Sequence, residues 1–253
     1  MSSMPLSTVP EASAGPGLTQ GQRVLYTFTA PSKTFTDIKR SSSWWLPFLL
    51  TAIFGYVLFA GITLKVTWPQ VAENNLHNSP KQTEQMEKLT PEQRATQMKI
   101  IAVSTEAFMA AMPILALIGV AIMAGVLLAT INFGFGGKAN FWQAFAVVWF
   151  AGLPGLIKFI LGAIALFAGL APESFNVNNF AGTNIGYYLP METSKPIMAF
   201  ATSLDVITIW TLVLSSIGIS IVAGTKRSSG YIAVFGWWVL LTLFGVGMAA
   251  AFS

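Results

Sequence analysis

The chain has 253 residues, of which 54% are apolar and only 9% are charged. Soluble domains carry about 25% charged residues, so a water-soluble globular enzyme is excluded, and the high hydrophobicity also excludes a disordered protein. The absence of cysteine excludes disulfides and thiolate metal sites, and a net charge of +4 is too small to indicate a nucleic-acid-binding protein. The composition therefore predicts a membrane protein with several spans.

The N-terminal segment is polar and irregular. Its first 21 residues are rich in Ser, Pro and Gly and lack the apolar core of a cleavable signal peptide. We expect residues 1–29 to form a disordered cytoplasmic tail and residues 30–253 to form one membrane domain. At the start of that domain, Phe35 and Ile38 share a helical face beside basic residues. This pattern predicts a short interfacial helix on the cytoplasmic leaflet.

Apolar runs account for most of the remaining chain. A helix needs about 20 apolar residues to cross the hydrocarbon core, and five runs meet that requirement. We predict an all-α membrane protein: a bundle of five transmembrane helices with a long helical loop after the first span. A β-barrel is rejected because runs such as residues 114–128 do not alternate between apolar and polar. The predicted spans cover residues 46–66, 101–133, 141–170, 196–224 and 229–252.

The polar loop after the first span carries two helix-start signals. Residues 79–82 (SPKQ) and 90–93 (TPEQ) each place a hydroxyl at the N-cap, Pro at the first helical position and Gln at the third. They predict a short helix after Ser79, and a longer helix that begins near Pro91 and continues into the second span. The sole histidine, His77, also lies in this loop, so a His-based metal cluster is excluded.

The distribution of basic residues predicts the orientation. Lys and Arg beside the spans favour the cytoplasmic side, and they are more numerous on the side of the N-terminus. The N-terminus is therefore expected in the cytoplasm and the C-terminus outside. The N-terminal side carries Arg23, Lys33, Lys39, Arg40, Lys138, Lys226 and Arg227; the other side carries Lys81, Lys88, Arg94, Lys99 and Lys195.

One glycine-rich segment matches a cofactor motif in form. Residues 134–139 (GFGGKA) fit G-x-G-x-x-A, but the dinucleotide fingerprint needs a strand before it and here a predicted membrane helix precedes it. A phosphate-binding loop would need Gly at position 132 and Ser or Thr at position 139, where the chain has Asn132 and Ala139. We interpret the segment as a tight cytoplasmic turn. No catalytic, cofactor-binding or metal-binding residue is assigned, and no cofactor is expected.

Two charged residues lie inside predicted spans: Lys158 in the third and Asp205 in the fourth. Each costs roughly 2.5–3.5 kcal/mol at the bilayer centre, so each should face protein or water. The two spans are consecutive and antiparallel, which places the charges at similar depth. They form either a structural ion pair, which we favour, or an ion or proton relay. Lys158 shares one helical face with a stripe of small residues that let another helix approach closely: Gly155, Gly162, Ala165 and Gly169. A second stripe on the fourth span consists of Ser216, Ser220 and Gly224.

Four further residues are candidates for a role in the bundle. Lys65 and Glu106 lie near the outer edge and either pair or extend to the interface. Pro113 and Pro154 lie inside predicted spans and mark either hinges or packing kinks, since proline frees a backbone carbonyl and bends a helix.

Two segments resemble the bacterial branch of the Yip domain family. Residues 131–159 (INFGFGGKANFWQAFAVVWFAGLPGLIKF) are similar to its short Gly-rich turn followed by an aromatic-rich helix with a "GLP"-like segment. Residues 30–50 (APSKTFTDIKRSSSWWLPFLL) are similar to the family's entry into its first span. The resemblance covers roughly residues 30–250 and implies a membrane domain with five spans, a cytoplasmic N-terminus and a location in the bacterial inner (cytoplasmic) membrane. Eukaryotic members interact with Rab GTPases, but this chain lacks the acidic "DLYGP"-type segment of that branch.

Two functional classes follow. The first is a non-enzymatic membrane scaffold or adaptor of Yip type, acting in membrane organisation or trafficking-like processes. The second is a small channel or transporter that uses Lys158 and Asp205. An enzyme ranks third, because no nucleophile–base or metal set is visible. The expected partners are the lipid bilayer and other membrane proteins or a second copy of the chain, with no nucleic acid and no identifiable small-molecule substrate.

Overall fold

The computed structural model describes residues 17–190 and 192–251. Over these residues the chain is helical, and its one β-bridge joins Asn184 to Asp205. The helices in chain order are α1 (Gln20–Thr29), α2 (Pro31–Arg40), α3 (Trp45–Lys65), α4 (Trp68–His77), α5 (Pro80–Glu87), α6 (Pro91–Ala110), α7 (Met112–Ala129), α8 (Phe141–Ala151), α9 (Leu156–Phe167), α10 (Lys195–Ser203), α11 (Val206–Ala223) and α12 (Arg227–Ala251).

Five of the described segments are long and apolar enough to cross a membrane, which confirms the predicted all-α bundle of five spans. Span 1 is α3, span 4 is α11 and span 5 is α12. Span 2 is α7 extended by a π-helical turn, Thr130–Gly134. Span 3 consists of α8 and α9, joined by a 3₁₀ turn at Leu153–Gly155.

Short connections join spans 2 to 3 and 4 to 5, at residues 135–140 and 224–226. We call the end of the bundle that they occupy the turn end. The opposite end, called the loop end, carries α4 and α5, the start of α6, and residues 168–190 and 192–194. Each end has its own hydrophobic cluster of buried side chains: α2, α7, α8, α11 and α12 contribute at the turn end, and α3, α4, α6 and α9 at the loop end.

Helix α1 lies where a disordered tail was predicted. The Thr19 hydroxyl accepts a hydrogen bond from the Gln22 amide, while the Gln22 side chain accepts one from the Thr19 amide, which forms a capping box. Arg23 of α1 is 1% exposed and lies 2.6 Å from Asp37 of α2. The cap and this buried ion pair order a segment of low apolar content, so the prediction is wrong for residues 20–29. Residues 1–16 of the predicted tail lie outside the described part of the chain.

The predicted interfacial helix is present as α2, but protein rather than lipid covers its apolar face. Phe35 and Ile38 are fully buried in the cluster at the turn end. Phe35 reaches this position because Gly218 of α11 has no side chain: a Cβ there would lie 2.9 Å from the Phe35 ring and 2.6 Å from Val147. The interfacial interpretation is therefore wrong about what the apolar face contacts, because the same amphipathic pattern serves a protein core equally well.

The helical loop after span 1 follows the two predicted starts. Helix α5 begins at Pro80, and α6 begins at Pro91 behind a capping box in which Thr90 and Gln93 bond each other's amides. Helix α6 is continuous to Ala110, as predicted, but a break of one residue at Ala111 separates it from α7, so the two do not form one uninterrupted helix. The break lies just before Pro113, which has no N–H to donate to the preceding turn and whose ring crowds it.

Candidate functional site

The predicted intramembrane charges meet at the loop end of the bundle. Lys158 is on α9, and its Nζ lies 2.9 Å from Oδ2 of Asp205. The Asp205 side chain is 4% exposed and the Lys158 side chain is 30% exposed. The carboxylate is therefore enclosed by protein, while part of the ammonium remains accessible.

Asp205 does not lie inside a helix, as the single predicted span over residues 196–224 implied. The chain breaks between α10 and α11, and Asp205 is the N-cap of α11. Its Oδ1 accepts a hydrogen bond of 2.8 Å from the Thr208 amide, and its Oδ2 accepts one of 2.6 Å from the Thr183 hydroxyl. Helix N-termini leave amides without partners, so the carboxylate satisfies one of them while also binding Lys158.

Loop residues complete the surroundings of the pair. The Val206 amide donates to the Thr183 carbonyl at 3.1 Å, which fixes the loop against the start of α11. The side-chain amides of Asn179 and Asn184 bond each other, with distances of 2.6 and 3.3 Å. Sequence analysis did not single out these residues. The run of Asn and Thr between residues 176 and 184 was the available signal, since such side chains commonly form local turns and caps.

A cavity of about 250 Å³ lies directly beside the ion pair. Its wall comes from α9, the residues before and at the start of α11, the loop at 178–184, and Trp238 of α12. Most of the lining side chains are amides, hydroxyls or the charged pair itself. Polar groups are costly at membrane depth, so their gathering at one place identifies this cavity as the candidate site.

The small-residue stripes contribute unequally to helix packing. On the third span, a Cβ at Gly162 would lie 2.6 Å from the Phe180 ring and 3.1 Å from Leu58, so that glycine permits the approach of α3. Gly155 and Gly169 face open space, where a Cβ would contact nothing within 4 Å.

On the fourth span, Ser216 and Ser220 are buried against Gly230 of α12. A Cβ on Gly230 would overlap the Ser216 carbonyl oxygen and lie 3.0 Å from the Ser220 Cβ. The tightest packing between spans 4 and 5 therefore depends on the missing side chain at position 230.

The structure does not bring Lys65 and Glu106 together. Lys65 Nζ lies instead 5.5 Å from the ring centroid of Phe167, and the described residues include no ion pair between the two candidates. Of the two alternatives for these residues, the ion pair is therefore not formed, and the Lys65 ammonium lies over an adjacent aromatic face instead. Of the two candidate hinges, Pro113 follows the break between α6 and α7, and Pro154 is buried in the 3₁₀ turn between α8 and α9.

The glycine-rich segment forms a tight turn. Gly136 has φ +68, a left-handed conformation suited to glycine. The Lys138 amide donates to the Ala223 carbonyl at 3.0 Å, and the Asn132 side chain bonds both the amide and the carbonyl of Ala139. Backbone groups that a phosphate-binding loop would direct at a ligand are thus used within the protein. In the described part of the chain, no group of His, Asp and Glu could hold a metal ion.

A family model for the Yip1 domain matches residues 25–249. The match begins inside α1 and includes the whole of α2. No curated protein and no solved structure matches the chain. Since the match covers most of the sequence, the chain belongs to the Yip1 domain family and is a multi-pass integral membrane protein.

Proposed function

We propose that this member of the Yip1 domain family is a non-enzymatic membrane scaffold or adaptor that organises other membrane proteins. We place it in the bacterial inner membrane, with the N-terminus in the cytoplasm. One observation carries the proposal: Asp205 is almost fully enclosed, and its two oxygens already accept three intramolecular contacts, from Lys158, Thr183 and Thr208. A carboxylate used in this way joins two spans and a loop, which is a structural role.

A scaffold also needs surface to offer to partners. Only 11% of the most apolar stretch of span 5 and 17% of that of span 2 are buried inside the protein. Phe244 of span 5 is 68% exposed. These outward faces are available to lipid and to other transmembrane helices, with which they would pack by van der Waals contact.

Site-specific photocrosslinking in native membranes tests the proposal. A photoreactive phenylalanine analogue at Phe244 should form discrete crosslinked bands with other membrane proteins. The same analogue at Phe150, which is fully buried, is the matched control and should form none. Only lipid adducts at Phe244 would contradict the scaffold.

The cavity beside Lys158 favours a second candidate, a channel or transporter, because a polar cavity next to an intramembrane charge is typical of solute pathways. Proteoliposomes that contain the purified full chain distinguish the two. A scaffold produces no flux of ions or small polar solutes above that of empty vesicles. A flux that is lost when Lys158→Met and Asp205→Asn are combined would replace the scaffold by the transporter.

A further inference from the structure

Some of the polar groups that line the cavity beside Lys158 already have hydrogen-bond partners in the described part of the protein, and others do not. Both carboxylate oxygens of Asp205 accept a hydrogen bond, and one of them also pairs with Lys158. The side-chain amides of Asn179 and Asn184 are hydrogen-bonded to each other. Lys158 carries three N–H donors and directs one of them to Asp205. Its side chain is 30% exposed, so the remaining donors can face the cavity.

Two other cavity residues add donor capacity. Trp238 and Thr202 both line the cavity, and the hydrogen bonds among the described residues include none from the Trp238 indole N–H or the Thr202 hydroxyl. An indole N–H can only donate, and a lysine ammonium has no acceptor. Lys158 and Trp238 can thus only donate, and the Thr202 hydroxyl can donate as well, so a ligand that contacts all three is rich in acceptor oxygens.

We propose that this cavity binds the phosphate group of a singly charged phosphate ligand, with Lys158 as its cationic contact and Trp238 and Thr202 as further donors. These donors are on three different helices, α9, α10 and α12, and the tetrahedral oxygens of a phosphate can reach donors on several sides more easily than the two coplanar oxygens of a carboxylate. A single negative charge fits best, because Asp205 already lies 2.9 Å from the same ammonium. A volume of about 250 Å³ accommodates a compact polar group but no acyl chain.

Such a phosphate comes from either a phospholipid headgroup or a small phosphate dissolved in water. The lipid source has structural support, because Val239 and Leu240 next to Trp238 are 43% and 58% exposed on an apolar span. A headgroup could thus enter the cavity while its acyl chains remain outside. This inference goes beyond the scaffold role and does not depend on it, since a scaffold needs no ligand in this cavity.

Thermal unfolding of the full-length protein in a neutral detergent tests the proposal. Inorganic phosphate and short-chain phosphatidylglycerol are titrated separately, against sodium chloride of equal ionic strength and against short-chain diacylglycerol, which lacks phosphate. A saturable rise in Tm is expected with at least one phosphate probe and with neither control. A rise with phosphatidylglycerol alone identifies the lipid as the source, and a rise with both probes identifies the phosphate group as sufficient.

Variants locate the binding. Trp238→Phe and Thr202→Val each remove one donor and leave the ion pair intact, so each should raise the half-saturating concentration about fivefold, the effect of one neutral hydrogen bond. Trp210→Phe is the matched control: Trp210 is on α11, does not line the cavity, and should leave binding unchanged. Combining Lys158→Met with Asp205→Asn should weaken binding about tenfold or more.

Two results would overturn the proposal. One is the absence of any saturable rise with either phosphate probe in the unmodified protein. The other is a rise that Trp238→Phe, Thr202→Val and the combined Lys158 and Asp205 variant all leave unchanged, since binding would then occur elsewhere. Because the first two variants keep the ion pair, the test remains decisive even if the combined variant fails to fold.

Discussion

Lys158 Nζ lies 2.9 Å from Asp205 Oδ2, and this contact joins the middle of one span to the first turn of the next. Both partners are at places where a span is not a simple helix. Lys158 follows the 3₁₀ turn at Leu153–Gly155, and Asp205 occupies the break between α10 and α11. The pair therefore connects two interrupted spans.

The first prediction concerns the order of stability among variants of this pair. Lys158→Met alone leaves the enclosed Asp205 without its cation and should destabilise the protein by about 3–5 kcal/mol, as for other buried pairs that lose one partner. Asp205→Leu alone should cost more than Lys158→Met, because it also removes the α11 cap, which contributes about 1 kcal/mol. Combining Lys158→Met with Asp205→Asn should recover most of the loss, since asparagine keeps a capping oxygen. The yield of monodisperse protein in detergent measures this order.

Lys65→Met is the matched control for removal of a lysine. Lys65 lies over the Phe167 ring and has no ion pair among the described residues, so its replacement should change the yield little. Equal losses in the single and combined variants of Lys158 and Asp205 would show that the two residues do not stabilise each other.

The second prediction concerns the contact between spans 4 and 5. Gly230→Ala places a methyl group where it overlaps the Ser216 carbonyl oxygen, a backbone atom that cannot move aside. Overpacking of this kind costs about 1–3 kcal/mol, so Tm in detergent should fall. Gly236→Ala on the same helix is the matched control, because a Cβ there contacts nothing within 4 Å. It should leave Tm unchanged or raise it, since alanine favours helix over glycine. A fall of equal size in both variants would show that helix flexibility, and not the close contact, is responsible.

Most of the fold could be predicted from the sequence, because the length of a span and the capping of a helix depend on residues close together in the chain. The capping box at Thr90 and Gln93 is present as predicted, and the glycine-rich segment at 134–139 forms the predicted turn. Both depend on residues within a few positions of one another, so periodicity and turn chemistry suffice to predict them.

The sequence predicted only the charged pair of the site, because the other residues of the site contact that pair from positions distant in sequence. Thr183 binds Asp205 across 22 positions, and nothing in the spacing of either residue indicates that bond. Contacts between residues distant in sequence also explain the two wrong predictions, for α1 and for α2. The order of α1 depends on the Arg23–Asp37 pair, and the burial of Phe35 depends on the empty position at Gly218. A single sequence shows an amphipathic face but does not show whether lipid or protein covers it.

The third prediction concerns pH and the α1–α2 hairpin. Burial raises the pKa of Asp37, but hydrogen bonds from Arg40 and Arg23 and the positive charge of Arg23 lower it by more than burial raises it. The pKa of this carboxyl therefore lies below its ordinary value of 3.8. A lowered pKa in the folded state stabilises the hairpin above pH 3.8, and the stabilisation is lost as the pH falls through the lowered pKa. Hydrogen exchange of the α1 amides, corrected for the intrinsic rate, should therefore lose protection in strong acid.

Asp37→Asn should reduce the protection of α1 already at neutral pH and remove its acid dependence. Glu84→Gln is the matched control, because the Lys88–Glu84 pair is about 70% exposed on both sides and such surface pairs contribute little. It should leave α1 unaffected. If the α1 amides of Asp37→Asn still lose protection in acid, another titrating group causes the pH dependence.

The last prediction concerns the orientation of the bundle. The hydrogen bond of 3.0 Å from Arg227 to Ser32 places α2 at the turn end, beside the short turn between spans 4 and 5. The basic residues of α2 thus lie at the same end as Lys138 and Arg227, and such a concentration favours the cytoplasm. In this cysteine-free chain, Asn78→Cys at the loop end should react with an impermeant maleimide in intact cells. Ser228→Cys at the turn end, where the native side chain is also exposed, should react only after the cells are permeabilised. The reverse pattern would place the turn end outside and show that the distribution of basic residues does not set the orientation of this protein.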